Sequence, residues 1–210
     1  MSLSASFGTT SLRATCAEEF DSLVEDLFGL IRHSVAKGAV LRDGTRILFG
    51  WTVLTVRGER GDLALCEPDF GTDPTAGLRE NIDFSLAGYR RQQNLIAAVG
   101  LDQWRPLPYT DDVFVERGAL GDEQVIGWRM SDPQGADGWF VFRIHSDCPK
   151  PALDITTVGG QFGRVPVWHL ALSFPAQFDM LALPIGYTVR ITGGAIDRVQ
   201  SPDGEVWTMG

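Results

Sequence analysis

The residues closest to a catalytic arrangement are His145, Asp147 and Cys148, which lie within one tetrapeptide. A cysteine becomes a nucleophile when a nearby base forms its thiolate and an acidic group orients that base. His145 or His169 would serve as the base, with Asp147 or Asp154 as the orienting group. Catalytic groups meet in space rather than in sequence, so the same residues equally fit a strand that ends in a polar turn.

No sequence signature indicates a metal or a cofactor. Histidines occur only at positions 33, 145 and 169, and none has a ligand partner at helical spacing. Residues 159–163 contain glycines but lack the Gly-Lys-Ser/Thr ending of a phosphate loop. The 3 cysteines are too few for a disulfide framework. We therefore expect no cofactor and no metal. The absence of a signal-peptide pattern at the N-terminus favours a cytoplasmic location.

The charge argues against binding to nucleic acid or to an anionic membrane. The chain has 27 acidic and 18 basic residues and a net charge of −9, whereas those partners attract basic surfaces. No apolar run approaches the ~20 residues that span a bilayer. The acidic excess is uneven, because residues 99–148 hold nine acidic and four basic residues. These charges are either solvated loops and strand edges or an acidic face that steers a basic partner.

Apolar periodicity predicts two longer amphipathic helices. We expect the first to begin after the N-cap Thr15, with Glu18 at the capping-box position, and to end at Gly38. Its apolar residues recur three or four positions apart: Phe20, Leu23, Val24, Leu27, Phe28, Ile31 and Val35. The second is expected over about residues 86–99, and one short helix is expected within residues 174–183.

Runs of β-branched and aromatic residues predict the strands. They lie at about residues 46–56, 62–66, 111–117, 123–130, 138–145, 186–192 and 204–208, and residues 165–172 look like a strand end or buried segment. Hairpin-like spacing favours antiparallel pairing. The predicted fold is α+β: a mainly antiparallel sheet with two longer helices and one short one.

The chain is expected to contain two lobes after a loose N-terminus. Residues 1–14 are rich in Ser and Thr and are expected to be loose. Residues 104–109 contain two prolines that disfavour helix at the residue before each, so they form a stiff connector. We place the boundary there, which gives an N-terminal α+β lobe at 15–105 and a C-terminal α+β lobe at 106–210.

Two Gly-Trp segments carry a family resemblance. Residues 125–130 (Val-Ile-Gly-Trp-Arg-Met) and 137–142 (Asp-Gly-Trp-Phe-Val-Phe) flank a polar turn and resemble the immunity protein 33 family. Residues 167–170 resemble its aromatic segment, and residues 174–186 resemble its short helix and Pro-Val-Gly turn. The resemblance covers about residues 111–192. One departure is that Asp137 directly precedes Gly138, where the family has an intervening serine.

The resemblance implies a non-enzymatic protein that binds and neutralises a bacterial toxin, and it carries over no catalytic residue. A basic toxin would suit the acidic excess. Our candidate partner-binding residues are Asp122, Glu123, Asp132, Asp137 and Trp139. Asp132 and Asp137 would steer the partner and Trp139 would anchor it, although Trp139 fits the core equally well. The alternatives are a structural or regulatory interaction module and, third, a hydrolase that uses Cys148.

Overall fold

The computed structural model describes residues 1–59, 61–131, 137–144 and 162–209. The chain forms two compact units, Met1–Arg90 and Arg91–Gly210. The described residues contain four α-helices and two sheets, so the α+β class is confirmed. Within them, no helix is both long enough and apolar enough to cross a membrane. The predicted boundary between the two lobes, at residues 105–106, stays a prediction.

The first unit is built on one six-stranded sheet. The strand order is β1–β2–β5–β4–β3, and β6 pairs with β5. The elements are β1 (Ser2–Phe7), β2 (Thr10–Thr15), α1 (Asp21–Ala36), β3 (Arg46–Phe49), β4 (Thr52–Glu59), β5 (Asp62–Pro68), β6 (Leu78–Arg79) and α2 (Asp83–Ala98), which continues into the second unit. Strands β2 and β5 are parallel and the other pairs are antiparallel, so the sheet is mixed.

The N-terminal segment differs from the prediction. Residues 1–14 are not loose, because β1 and β2 form an antiparallel hairpin. Alternate residues of that hairpin, including Ala5, Leu12 and Ala14, enter the core beside α1. Burial of this apolar face outweighs the polar composition of the segment. Thr15 is consequently the last residue of β2 rather than an N-cap, and α1 begins at Asp21 without a side-chain cap.

The predicted strand at residues 46–56 is two strands. A tight turn at Gly50 and Trp51 separates β3 from β4, which pair antiparallel. Gly50 has a φ of 56°, a left-handed conformation that glycine adopts without strain. Trp51 is fully buried, and its indole N–H donates to the Ser85 carbonyl at 3.3 Å. The tryptophan therefore ties this turn to the start of α2.

The second unit contains a seven-stranded sheet in the order β10–β7–β9–β8–β11–β12–β13. Its strands are β7 (Asp112–Glu116), β8 (Gln124–Ser131), β9 (Asp137–Arg143), β10 (Phe162–Pro166), β11 (Thr188–Thr192), β12 (Ala195–Gln200) and β13 (Val206–Thr208). Two short helices, α3 (Val167–Ser173) and α4 (Pro175–Asp179), lead into a 3-10 turn at Met180–Ala182. Strands β7 and β9 pair in parallel, so this sheet is also mixed.

The second unit departs from the sequence prediction in its helices and in strand β12. The described residues contain two short helices rather than one, because residues 167–173 are helical where a strand end or buried segment was expected. The apolar spacing of Val167, Leu170 and Ala171 suits a helix with one buried face. Strand β12 was missed because Val199 is its one buried residue, so its sequence shows no clear apolar alternation.

The helical segment covers one face of this sheet. A Cβ added to Gly127 would collide with the Met180 side chain and approach Trp139 at 3.3 Å. The same face includes Val113, Val125 and Val141, which are all buried. The face of β8 that contains Val125 and Gly127 is therefore the core face of the second unit.

Candidate functional site

The structure separates the predicted partner-binding residues along one strand pair. Strands β8 and β9 are antiparallel, with Ser131 opposite Asp137. Asp122 and Glu123 precede β8, whereas Asp137 lies beside its far end. At 3.4 Å per residue, the eight residues of β8 place these two groups roughly 24 Å apart. Asp132 lies outside the described residues, and only the backbone of Asp137 is described.

Trp139 occupies the core face of the sheet. It is fully buried and pairs with Arg129, which is also buried. Trp139 therefore lies in the core, the second of its two expected positions, and is not part of the exposed surface.

The opposite face of the same strands carries three half-buried aromatic residues. Trp128 pairs with Phe140, and Phe140 pairs with Phe114 on β7. The two phenylalanine rings stack with centroids 4.9 Å apart. We call Phe114, Phe140 and Trp128 the aromatic row. Strand alternation places Trp128 and Trp139 on opposite faces once the register is known. The sequence did not indicate which face is covered, because that depends on the helical layer of residues 167–183.

A second feature is the acidic turn, residues 121–124, which ends the connection from β7 and leads into β8. The Asp122 carboxylate accepts the backbone N–H of Gln124 at 3.1 Å, and the Glu123 carbonyl accepts the N–H of Gly193 at 2.8 Å. Gly121 has a φ of 94°, which permits the sharp reversal. These contacts hold the backbone while both acidic side chains are exposed.

The carboxylates of the acidic turn differ from several others in the unit because no Lys or Arg among the described residues lies within ion-pair distance of them. By contrast, Glu116 binds Arg143 at 3.2 Å and Asp179 binds Arg91 at 2.9 Å. The Arg190 guanidinium donates hydrogen bonds to both carboxylate oxygens of Asp197, and these bonds lower the pKa of that carboxyl. Internal pairing thus neutralises several strand and helix carboxylates, but Asp122 and Glu123 keep charges that can act on a partner.

The described residues do not assemble the cysteine-based alternative. Cys148, His145, Asp147 and Asp154 lie outside them, so that pairing stays a prediction. His169 is exposed on α3, with its ring centroid 5.8 Å from that of Trp168. Burial raises the pKa of the Cys16 and Cys66 thiols, which disfavours their reactive thiolate forms. Among the described side chains, no group of three or more His, Cys, Asp or Glu residues could hold a metal ion.

The sheet, the short helices and the exposed turn lie in a region that matches a family of immunity-type domains. The model of the Imm33-like domain matches residues 91–207, which is just over half of the chain. The chain therefore belongs to the Imm33-like family, and the resemblance of the two Gly-Trp strands is confirmed. The match extends beyond residues 111–192 in both directions and spans nearly all of the second unit. No curated protein and no solved structure matches the chain.

Proposed function

We propose that this protein is a cytoplasmic, non-enzymatic immunity protein that binds and neutralises a bacterial protein toxin through its second unit. The observation that carries the proposal is membership of the Imm33-like family over residues 91–207. The partner of such a protein is another protein, which agrees with a surface of exposed carboxylates and aromatic rings.

The acidic turn and the aromatic row are the proposed contact surface. Unpaired Asp122 and Glu123 would steer a basic toxin into place, since complementary charge raises association rates. Trp128 would anchor the complex, because aromatic residues dominate binding energy at interfaces. Trp128 lies four residues along β8 from Gln124, roughly 14 Å away. A single interface of ordinary size, ~800 Å² per partner, would cover both features. Asp132 and Asp137 would then be outlying charges.

Co-expression tests the proposal. Cells would produce the toxin encoded beside the gene of this protein, with wild-type or variant chain, and survival would be measured. We expect the wild type to protect, and expect Trp128→Ala combined with Asp122→Asn and Glu123→Gln to protect poorly. The matched control is Asp203→Asn with Glu205→Gln, which removes two exposed charges elsewhere in the same unit and should protect fully.

Two results would contradict the proposal in different ways. Absence of both a complex and protection by the wild type would remove the immunity function. A stable complex without protection would instead favour the alternative of a structural or regulatory interaction module.

A further inference from the structure

The second sheet has a small depression between the acidic turn and Trp128. Its volume is about 240 Å³, and its lining residues are Ile126, Ile144, Thr188, Arg190, Arg198 and Gln200. Ile126 lies on β8 midway between Gln124 and Trp128, on the same face as Trp128. We call this depression the Arg198 pocket. It is smaller than most small-molecule sites, which measure roughly 300–1,000 Å³, so its size suits one side chain of a partner.

The charges in the Arg198 pocket do not cancel. Arg190 and Arg198 are opposite each other in the register of β11 and β12, where like charges repel. A register shift beside this pair leaves Asp197 without a partner residue, and its carboxylate oxygens accept hydrogen bonds from Arg190 at 3.0 and 2.9 Å. Arg198 is exposed and has no ion-pair partner among the described residues. One net positive charge therefore remains, on Arg198.

Neutral side chains complete the lining of the Arg198 pocket. Thr188 and Gln200 are opposite each other in the same register, and neither side chain has a hydrogen-bond partner within the part of the chain that the structure describes. The hydroxyl of one and the amide of the other can both donate hydrogen bonds. Ile126 and Ile144 add apolar surface. A single carboxylate on a short apolar stem matches this combination of groups.

We propose that the Arg198 pocket receives one Glu or Asp side chain of the toxin, an inference that rests on the proposed function. The carboxylate would pair with the Arg198 guanidinium, whose fork of donors fits two carboxylate oxygens, and would accept hydrogen bonds from Thr188 or Gln200. A phosphate group fits less well, because it carries close to two negative charges and Asp197 already occupies Arg190.

The Arg198 pocket and the acidic turn would act at different stages of binding. Exposed carboxylates attract a basic toxin over distance and raise the association rate, whereas an enclosed charge pair slows dissociation. Loss of the Arg198 charge would leave attraction of a basic toxin unchanged or slightly stronger. Loss of its pairing with a carboxylate would still weaken the complex. Association and dissociation rates therefore separate the proposed pairing from a general effect of charge.

Kinetics of Arg198→Gln with the toxin encoded beside the gene test the proposal. We expect dissociation to be at least tenfold faster and association to be unchanged or slightly faster. The control Arg105→Gln, which removes an exposed arginine of the same unit, should change neither rate. A wild-type dissociation rate in Arg198→Gln would overturn the pairing but leave the proposed function standing. No complex between the wild type and the toxin would remove both.

The acidic partner is located from the toxin side. Each Asp and Glu of the toxin is replaced in turn by Asn or Gln, and its affinity is measured with the wild type and with Arg198→Gln. One replacement should weaken binding to the wild type and add little further loss with Arg198→Gln, because the two groups act as a pair. Additive losses at every acidic residue of the toxin would overturn the pairing.

Propionate probes the Arg198 pocket without the toxin, because it carries the carboxylate and part of the apolar stem of a glutamate side chain. We expect propionate to shift the side-chain N–H signals of Arg198 saturably in nuclear magnetic resonance spectra of the full chain, and expect uncharged propionamide not to shift them. No shift at Arg198, or equal and unsaturable shifts at Arg198 and Arg105, would overturn the proposed site.

Discussion

The two units hold carboxylates in opposite surroundings. In the first, Glu67 is fully buried and paired with Arg79. In the second, Asp122 and Glu123 are exposed and have no ion-pair partner among the described residues. The net charge of −9 conceals this difference, because it averages over internal ion pairs and over both units. Only charges without an internal partner act fully on another molecule. We therefore assign partner contact to the exposed turn of the second unit and fold stability to the buried carboxylate of the first.

The units also place their ion pairs differently. In the first, Glu67 is fully buried, binds Arg79 at 2.5 Å and accepts the Ser85 N–H at 2.7 Å. In the second, Arg190 and Asp197 form a bidentate pair with side chains that are 45% and 30% exposed. Burial decides how much each pair matters, since removing one partner from a buried pair leaves an unsolvated charge.

The largest expected effect separates the two faces of the second sheet. Trp139→Ala should destabilise the second unit by about 3–5 kcal/mol, because it empties a fully enclosed site. Trp128→Ala should cost about 1–2 kcal/mol, since its half-buried ring loses less contact. Urea denaturation, monitored by circular dichroism, measures the free energy of unfolding of both variants. Equal costs would contradict the assignment of the core face.

A smaller effect tests the buried carboxylate. Arg79→Met should cost about 3 kcal/mol, because Glu67 then lacks its cation. Arg13→Met, which breaks exposed contacts with Asp62 and Glu80, should cost at most about 1 kcal/mol. Urea denaturation of both variants gives the comparison, and equal costs would show that burial of Glu67 does not matter.

The pH dependence of the Arg79→Met variant checks the same cause. Burial raises the pKa of Glu67 in the folded protein, so the folded state binds a proton more readily than the unfolded state. The cost of the substitution should therefore shrink as the pH falls through that pKa, because a protonated carboxyl no longer needs a cation.

The smallest effect concerns the exposed pair. Asp197→Asn should cost at most about 1 kcal/mol at neutral pH. Arg190 lowers the pKa of Asp197, so its contribution is complete above the unfolded pKa and is lost as the pH falls through the folded one. Thermal unfolding from about pH 7 to about pH 2.5 should show the wild type and variant converging. A difference that persists at the acidic end would contradict this cause.

The periodicity of apolar residues predicted those elements whose formation depends on nearby residues. The apolar stripe from Phe20 to Val35 correctly indicated the first helix. Its members Val24, Leu27, Phe28 and Ile31 are the buried residues of α1. The hairpin of residues 2–15 was missed because its stability comes from packing on α1 and from parallel pairing with β5, which are distant in sequence. The parallel pairing of β7 with β9 depends on similar long-range contacts.

The candidate site was predictable only in part. Composition located the acidic residues, and the acidic turn retains two of them on the surface. The register of β8 and β9 was needed to show that Asp122 and Asp137 lie at opposite ends of the strands. The covering helices were needed to distinguish Trp139 from Trp128, since two tryptophans on neighbouring strands look alike in sequence.

We propose above all that the second unit binds a toxin through the acidic turn. The most direct measurement is the association rate of the wild type and of Asp122→Asn with Glu123→Gln, with the toxin encoded beside the gene, at several salt concentrations. We expect association that slows with salt and is about tenfold slower in the variant at low salt. An association rate that is unaffected by salt and by the substitutions, or no complex at all, would contradict it.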